Sequence, residues 1–251
     1  ASQSFAVNNF DRSVGAALAG EIARLHGHDG LPGKPLELAF CGSAGQSFGV
    51  WNHHGMHLRL VGDANDYAGK GMSGGVIAIC PHPDAAIVAK RSVIAGNTCL
   101  YGATGGEMYL AGQAGERFAV RNSGARVVVE GVGHHGCEYM TGGTVLVIGR
   151  TGSNFAAGMT GGRAYVLDID ELFAKRCNPE NVEVDTIDTN EGSDDIGLIK
   201  TMLSRHVALT DSEWGAKLLA EFEYFAHYFR VVTPKHEEGS GMAVIPMKVV
   251  K

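Results

Sequence analysis

Between Gly112 and Asp168 the chain writes one pattern three times. Residues 112–125, 131–143 and 149–162 are glycine-studded polar turns, and each ends in a pair of small residues. Each leads into a short apolar run: Arg126 to Glu130, Thr144 to Ile148, and Arg163 to Leu167. The opening glycines, Gly112, Gly131 and Gly149, lie 19 and 18 residues apart. A unit this short cannot bury its apolar run alone. Neighbouring units must stack, so the period sets the architecture ahead of any local propensity.

The same frame extends backwards. Units open at Gly42, Gly62 and, after an interruption at residues 81–94, at Gly96, which makes six in all. Pro81 and Pro83 mark the interruption as a loop insertion, in which Ala85 to Val88 reads as a small extra strand. Strands of successive coils stack ~4.8 Å apart, so equivalent side chains meet. Glycines then suit the corners, where left-handed backbone angles are needed. Phe48, Tyr67, Tyr101, Phe118 and Phe155 occupy one slot of the frame and read as an internal aromatic ladder, with Cys137 or Tyr139 as its irregular member. A left-handed hexapeptide helix would need an aliphatic residue at every sixth position. Counting from Ile148 gives Asn154, Thr160 and Val166, and two of these four positions fail. The expected fold is all-β: a right-handed parallel β-helix, a single-stranded solenoid of about six to seven coils.

Its flanks read as helical. Residues 1–34 hold an extended segment and a capping helix with Val14, Leu18, Ile22 and Leu25 on one stripe; Asp11 or Ser13 would cap it and Gly27 stop it. Residues 35–168 are the β-helix. Residues 169–236 form an acidic helical segment, irregular over 180–192. Ser193 caps one helix there, and Thr210-x-x-Glu213 opens a second with Trp214, Leu218, Phe222, Phe225 and Phe229 on its apolar face. Residues 237–251 read as a flexible tail.

Composition supports the division at Asp168. Of 36 glycines, 31 precede Arg163. Up to Asp168, 12 acidic residues balance 12 basic ones; beyond it 15 acidic residues face 9 basic, so the net charge of −6 belongs to the C-terminal third. No basic stripe suggests nucleic acid. No apolar run approaches the ~20 residues of a membrane-spanning helix. Cys41, Cys80, Cys99, Cys137 and Cys177 are odd in number and widely spaced, without C-x-x-C. They fit a reducing cytoplasm, and Cys41 and Cys80 read as small core residues.

Chemical motifs are few. Gly69-x-Gly71-x-x-Gly74 matches a dinucleotide fingerprint, but a strand follows it where a helix is required, and its glycines sit at repeat positions. His53, His54 and His57 cluster, as do His134 and His135; the frame puts the two groups on different corners, whereas zinc needs three or four converging ligands. Asp63 and Asp66 share one coil without the carboxylate cluster of a sugar hydrolase. The residues therefore assign no catalytic, cofactor-binding or metal position.

One resemblance sharpens this reading. Residues 45–49 and 62–75, with the block Ala64-Asn65-Asp66-Tyr67, resemble the C-terminal GXGXG domain of the glutamate synthase large subunit. So do residues 96–98, 101–106, 116–125 and 138–143, and the flanking segments at Asn9 to Gly15 and Leu203 to Thr210. The resemblance implies a right-handed β-helix attached to an oxidoreductase that makes glutamate from glutamine and 2-oxoglutarate. It implies FMN and an iron–sulfur cluster in the parent enzyme, NAD(P)H or ferredoxin as electron donor, and amidotransferase and FMN-binding synthase domains as partners. It also implies a structural, non-catalytic role for this segment. The alternatives are a free-standing subunit of another redox complex, such as one like formylmethanofuran dehydrogenase, and an independent β-helix enzyme with a metal at the histidines or a sugar site. No nucleic acid or membrane partner is expected, and self-association stays open.

Overall fold

The apolar runs that follow the closing pairs become strands, each stacked in parallel on the run before. The computed structural model describes residues 3–85, 87–190 and 192–235. In chain order the strands are β1 (Gln3–Val7), β2 (Leu36–Ala44), β3 (Met56–Ala64), β4 (Ser73–Cys80), β5 (Val93–Ala95) and β6 (Gly105–Leu110). Then come β7 (Gln113–Ala114), β8 (Ser123–Val129), β9 (Thr141–Val147), β10 (Gly161–Leu167), β11 (Val182–Thr186) and β12 (Phe229–Pro234). The main sheet runs β1-β2-β3-β4-β6-β8-β9-β10-β12-β11, and all its pairings up to β10 are parallel. The result is a parallel β-solenoid of about six turns.

Register turns the repeat into columns. Leu58, Ile77, Met108, Val127, Val145 and Ala164 stack inward, one per coil, and Leu60, Ile79, Leu110, Val129, Val147 and Val166 form a second inward column. All twelve are buried. A third column is small: Ala44, Ala64, Ala95, Ala114, Val132 and Thr151, linked by carbonyl-to-amide bonds from each coil to the next.

Opposite the sheet, each coil returns through an arc in which alternate residues are left-handed. Ser47, Gly49 and Trp51 have φ of 66°, 66° and 59°, and the same triplet recurs at 67, 69, 71; 98, 100, 102; 117, 119, 121; 135, 137, 139; and 154, 156, 158. Bonds from Val50 N–H to the Ser47 carbonyl and from Asn52 N–H to the Gly49 carbonyl close consecutive tight turns. In the first five triplets each left-handed residue also donates to a neighbouring coil or, at the first coil, to the N-terminal segment: Ser47 to Asp66 O, Gly49 to Val14 O, Trp51 to Lys70 O, at 2.8–2.9 Å. Glycine makes the closing corners as expected, at Gly75, Gly106, Gly143 and Gly162 with φ of 71°, 87°, 82° and 81°, but in the arc only five of the eighteen left-handed positions are glycine. Left-handed backbone costs a non-glycine residue ~1–3 kcal/mol. The ladder holds it there, since abandoning the arc would orphan bonds to both neighbours.

The aromatic ladder is corrected too. Bonds across the arc align Phe48, Ala68, Cys99, Phe118, Gly136 and Phe155 in one buried column. Tyr67 and Tyr101 instead turn outward and are half-buried, while Cys137 is buried beside the column and Tyr139 is exposed. Six stacked rings would overfill the bore, and large residues alternate with small ones instead. A Cβ on Gly136 would lie 2.9 Å from the Phe155 ring.

Both ends are plugged. Helix α1 (Ala16–His26) closes the first coil with Ala19 and Ile22 in the core, and Gly27 at φ 59° ends it as expected. Its N-cap is Gly15, not Asp11 or Ser13, and no side chain caps it. At the other end Phe173 of the short α2 (Phe173–Arg176) packs edge-on to Phe155 at 5.4 Å.

The C-terminal third lies over the outer face of the sheet. Helices α3 (Asp194–Thr210), α4 (Glu213–Ala220) and α5 (Phe222–Ala226) bury Ile199, Met202, Leu203, Leu218 and Phe222 against Tyr109, Val128, Leu146 and Tyr165. Three expectations change here. The helix ends at Ala226; from Phe229 the chain becomes β12, antiparallel to β10, because the last coil leaves a ladder edge to be paired. Residues 182–186 form a strand on β12, with Val182 and Val184 alternating with Glu183 and Asp185. The cap of α4 is Ser212, whose oxygen accepts from Gly215 N–H at 2.9 Å, while Thr210 donates to His206 O. Ala85, Ile87 and Val88 are not strand; the local strand is Val93–Ala95, which has Ala64 and Gln113–Ala114 beside it. The expected tail, 237–251, lies outside the described residues.

Stacking also predicts which glycines are irreplaceable. At Gly142 an added Cβ would sit 2.2 Å from Ser123 O, whereas at Gly102, φ 63°, it would meet nothing within 4 Å. In urea unfolding, Gly142→Ala is expected to cost more than about 4 kcal/mol, and Gly102→Ala roughly 1–2 kcal/mol. Equal losses would show that the coils do not interlock at the closing pair.

Candidate functional site

The residues singled out by sequence serve the coils themselves. Gly69 and Gly71 are left-handed arc positions, and the space a side chain would take there belongs to Met108 Cε and Trp51 Cδ1, 2.5 and 2.9 Å from the would-be Cβ atoms. Asp66 accepts from Asn97 N–H at 2.7 Å, and Asn97 accepts from Glu116 N–H at 2.8 Å, so each side chain caps the next coil. Asp63 accepts from the Ser43 hydroxyl at 2.7 Å.

The histidines are dispersed. His53 is buried, and its Nδ1 accepts from His54 N–H at 2.8 Å; burial, then His54 and His28, pushes its pKa down. His57 faces Glu37 across β2 and β3 at 2.8 Å. His134 Nδ1 accepts from Ser153 N–H, and His135 Nδ1 lies 2.7 Å from Glu138 Oε1. Among the described residues no three His, Cys, Asp or Glu side chains converge as a metal site would require.

The arc creates an outward face that composition does not announce. Trp51 lies over Gly71 and Tyr139 over Gly158; Cβ atoms at those glycines would fall 2.9 and 2.6 Å from the rings. Trp51 and Tyr139 remain 59% and 58% exposed. Between them Lys70 Nζ sits 5.2 Å over the Tyr67 ring and 5.9 Å from that of Tyr101. Arg117 and Arg121 extend the same columns. Rigid aromatics and arginines on a hydrogen-bonded backbone are the residue types that anchor protein interfaces.

A cavity of about 670 Å³ lies where the loop insertion meets the α3–α4 turn, and is lined by Arg59, Pro81, Lys90, Glu130, Ser212 and Trp214 among others. Its charges are largely engaged: Arg59 pairs with Asp211 at 3.1 Å, and Lys90 Nζ sits 4.1 Å over the Trp214 ring. Behind it Glu130, 1% exposed, accepts the Ser212 hydroxyl and lies 3.3 Å from His206 Nε2. The serine addresses the carboxylate and not the imidazole, so the trio lacks the relay of a nucleophilic triad. It is a latch between cover and solenoid, joined by Tyr165 to Asp195 at 2.6 Å and by Trp214 Nε1 to Ile148 O at 2.7 Å. Sequence reading missed it. The signal was an acid at the strand position that other coils fill with Val61, Cys80, Ala111, Ile148 or Leu167.

Two outcomes follow. Glu130→Ala would strand His206 and Ser212 and lower stability by about 3–5 kcal/mol, whereas Glu130→Gln keeps an acceptor and loses far less; urea titrations that find the two equally mild would remove the latch. Burial raises the thiol pKa of Cys99 to about 12 and of Cys177 to about 11, and pushes those of Cys80 and Cys137 up as well; Cys80 is in the core as expected, whereas the same expectation for Cys41 is corrected, because it is exposed. Ellman's reagent at pH 8 should therefore find one fast thiol, the other four reacting at least about 100-fold more slowly until unfolding. A second fast thiol would contradict the buried columns.

A family model described as the GXGXG motif matches residues 1–235. The chain is 46% identical over 239 residues to the ferredoxin-dependent glutamate synthase 2 of Synechocystis, covering 95% of this chain and 15% of that protein. It is 51% identical over 235 residues to the ferredoxin-dependent glutamate synthase of Cyanidium caldarium, covering 93% and 15%. It is 48% identical over 234 residues to the glutamate synthase [NADPH] large chain of Bacillus subtilis, again covering 93% and 15%. The chain thus spans about 15% of the length of the curated relatives it matches.

Proposed function

Because this chain belongs to the GXGXG motif family, we propose that it is the structural β-helix unit of a glutamate synthase-like oxidoreductase. In this reading it docks and spaces catalytic domains and carries out no chemistry of its own. The observation that carries it is the arc face, where Trp51 and Tyr139 are 59% and 58% exposed on backbone locked into the coil ladder. Residues 35–168 are the spacer, and 1–34 and 169–236 its cap and cover. The partners are the amidotransferase and FMN-binding synthase domains. FMN and the iron–sulfur cluster belong to those domains, and the electron donor is ferredoxin or NADPH, as the relatives' names have it.

No helix among the described residues is long and apolar enough to cross a membrane. Placement in the cytoplasm is part of the same proposal; a rice relative is named chloroplastic.

The test joins turnover to binding. The chain alone is expected to give no glutamine-dependent amination of 2-oxoglutarate. It should bind the remainder of a family large chain, supplied as a separate polypeptide, and the double change Trp51→Ala, Tyr139→Ala should weaken that binding tenfold or more with the melting temperature unchanged. Turnover by the chain alone, or undiminished binding by the double variant, would overturn the proposal.

A further inference from the structure

Near the far end of the solenoid, three successive coils and the turn after them border a second, open cavity of about 420 Å³. Eight residues line it and none is acidic: Gln113, His134, Arg150, Thr151, Ser153 and Arg176 supply polar groups beside Val132 and Gly152. The corner carries two guanidiniums and no carboxylate in its lining.

Each donor has a reason for its place. Gly131, the residue between Gln113 and Arg150 in the stack, has no side chain; a Cβ there would lie 3.0 Å from Gln113 Cγ and 3.2 Å from Arg150 O. His134 Nδ1 accepts from Ser153 N–H at 2.9 Å, which leaves Nε2 to carry the ring proton as a donor. Arg176, with its side chain 12% exposed, is held from outside the lining by Asp170. Arg150 is exposed and makes no ion pair among the described residues.

Thr151 points to a ligand independently of charge. It is 2% exposed, and its hydroxyl has no partner among the described residues. It continues the column Ala44, Ala64, Ala95, Ala114 and Val132, where the coil before uses valine, the isosteric apolar residue. Packing therefore does not ask for the hydroxyl, and burying one unpaired is unfavourable.

We propose that this cavity is a binding site for a phosphate group, with Arg150 and Arg176 as its charged donors and Thr151, Ser153 and His134 Nε2 completing the hydrogen bonds. Guanidinium forks match phosphate oxygens. The volume falls in the range of small-ligand pockets, ~300–1,000 Å³, and accommodates the remainder of an organic phosphate as well as the ion. The site stands apart from the arc face and does not depend on the docking role.

The 251-residue chain is titrated with inorganic phosphate and with ribose 5-phosphate at constant ionic strength, followed by amide and arginine side-chain NMR and by melting. Saturable shifts at Arg150, Thr151 and Gly152 with a Kd below about 1 mM are expected. Tighter binding of ribose 5-phosphate assigns an organic phosphate; equal binding assigns the ion. Arg150→Ala should weaken binding at least tenfold. Thr151→Val should weaken it several-fold while melting no lower than the parent without ligand, a combination that a structural role for the hydroxyl does not produce. Unsaturated shifts, unchanged binding in both variants, or succinate binding as tightly as phosphate would overturn the proposal.

Discussion

The structure depends on one constraint: the backbone amides of the strands and the left-handed amides of the arc are bonded to the coil above or below. The sheet meets that constraint in ordinary strands and the arc meets it in left-handed ones, where Gly49, Gly69 and their equivalents donate to the preceding coil. Once both sides are tied, a residue's surroundings are set by its equivalents one period away. The Asn65–Asp66 pair illustrates this. Asp66 caps Asn97 N–H in the next coil, and Asn65 reaches Asn9 in the segment before.

What could be read from sequence followed from the same constraint. The period, the six coils, the inward aliphatic columns and the capping helix were all legible, because each is a statement about equivalent positions. Side-chain direction within the arc was not. Phe48 lies six residues after its opening glycine and Tyr67 five after its own; the register keeps that one-residue difference, pairing Phe48 with Ala68, and alternating residues then face opposite ways. The C-terminal third was harder because it has no period. Phe229 continued a helical stripe on paper, but an unpaired strand edge on β10 competed for the same residues and won.

The latch and the second cavity were missed for a related reason. Both rest on departures from a column: Glu130 where apolar residues stand, and Thr151 where alanine and valine stand. Neither is a motif in one dimension. Each becomes visible only when the coils are laid in register, and then the odd residue identifies itself. Side chains that keep to their columns explain the fold, and those that break them mark where the solenoid meets something else, whether its own helical cover or a ligand.

The loop insertion at residues 81–91 has a consequence of a different kind. It leaves and rejoins the solenoid without disturbing the strands on either side, since β4 and β6 pair directly across it. Length can thus be added outward without changing length along the axis. Along the axis the body grows only by whole coils, in steps of ~4.8 Å. A protein built this way is a ruler with fixed graduations: whatever rests on its two ends is separated by a count, not by a continuously adjustable distance.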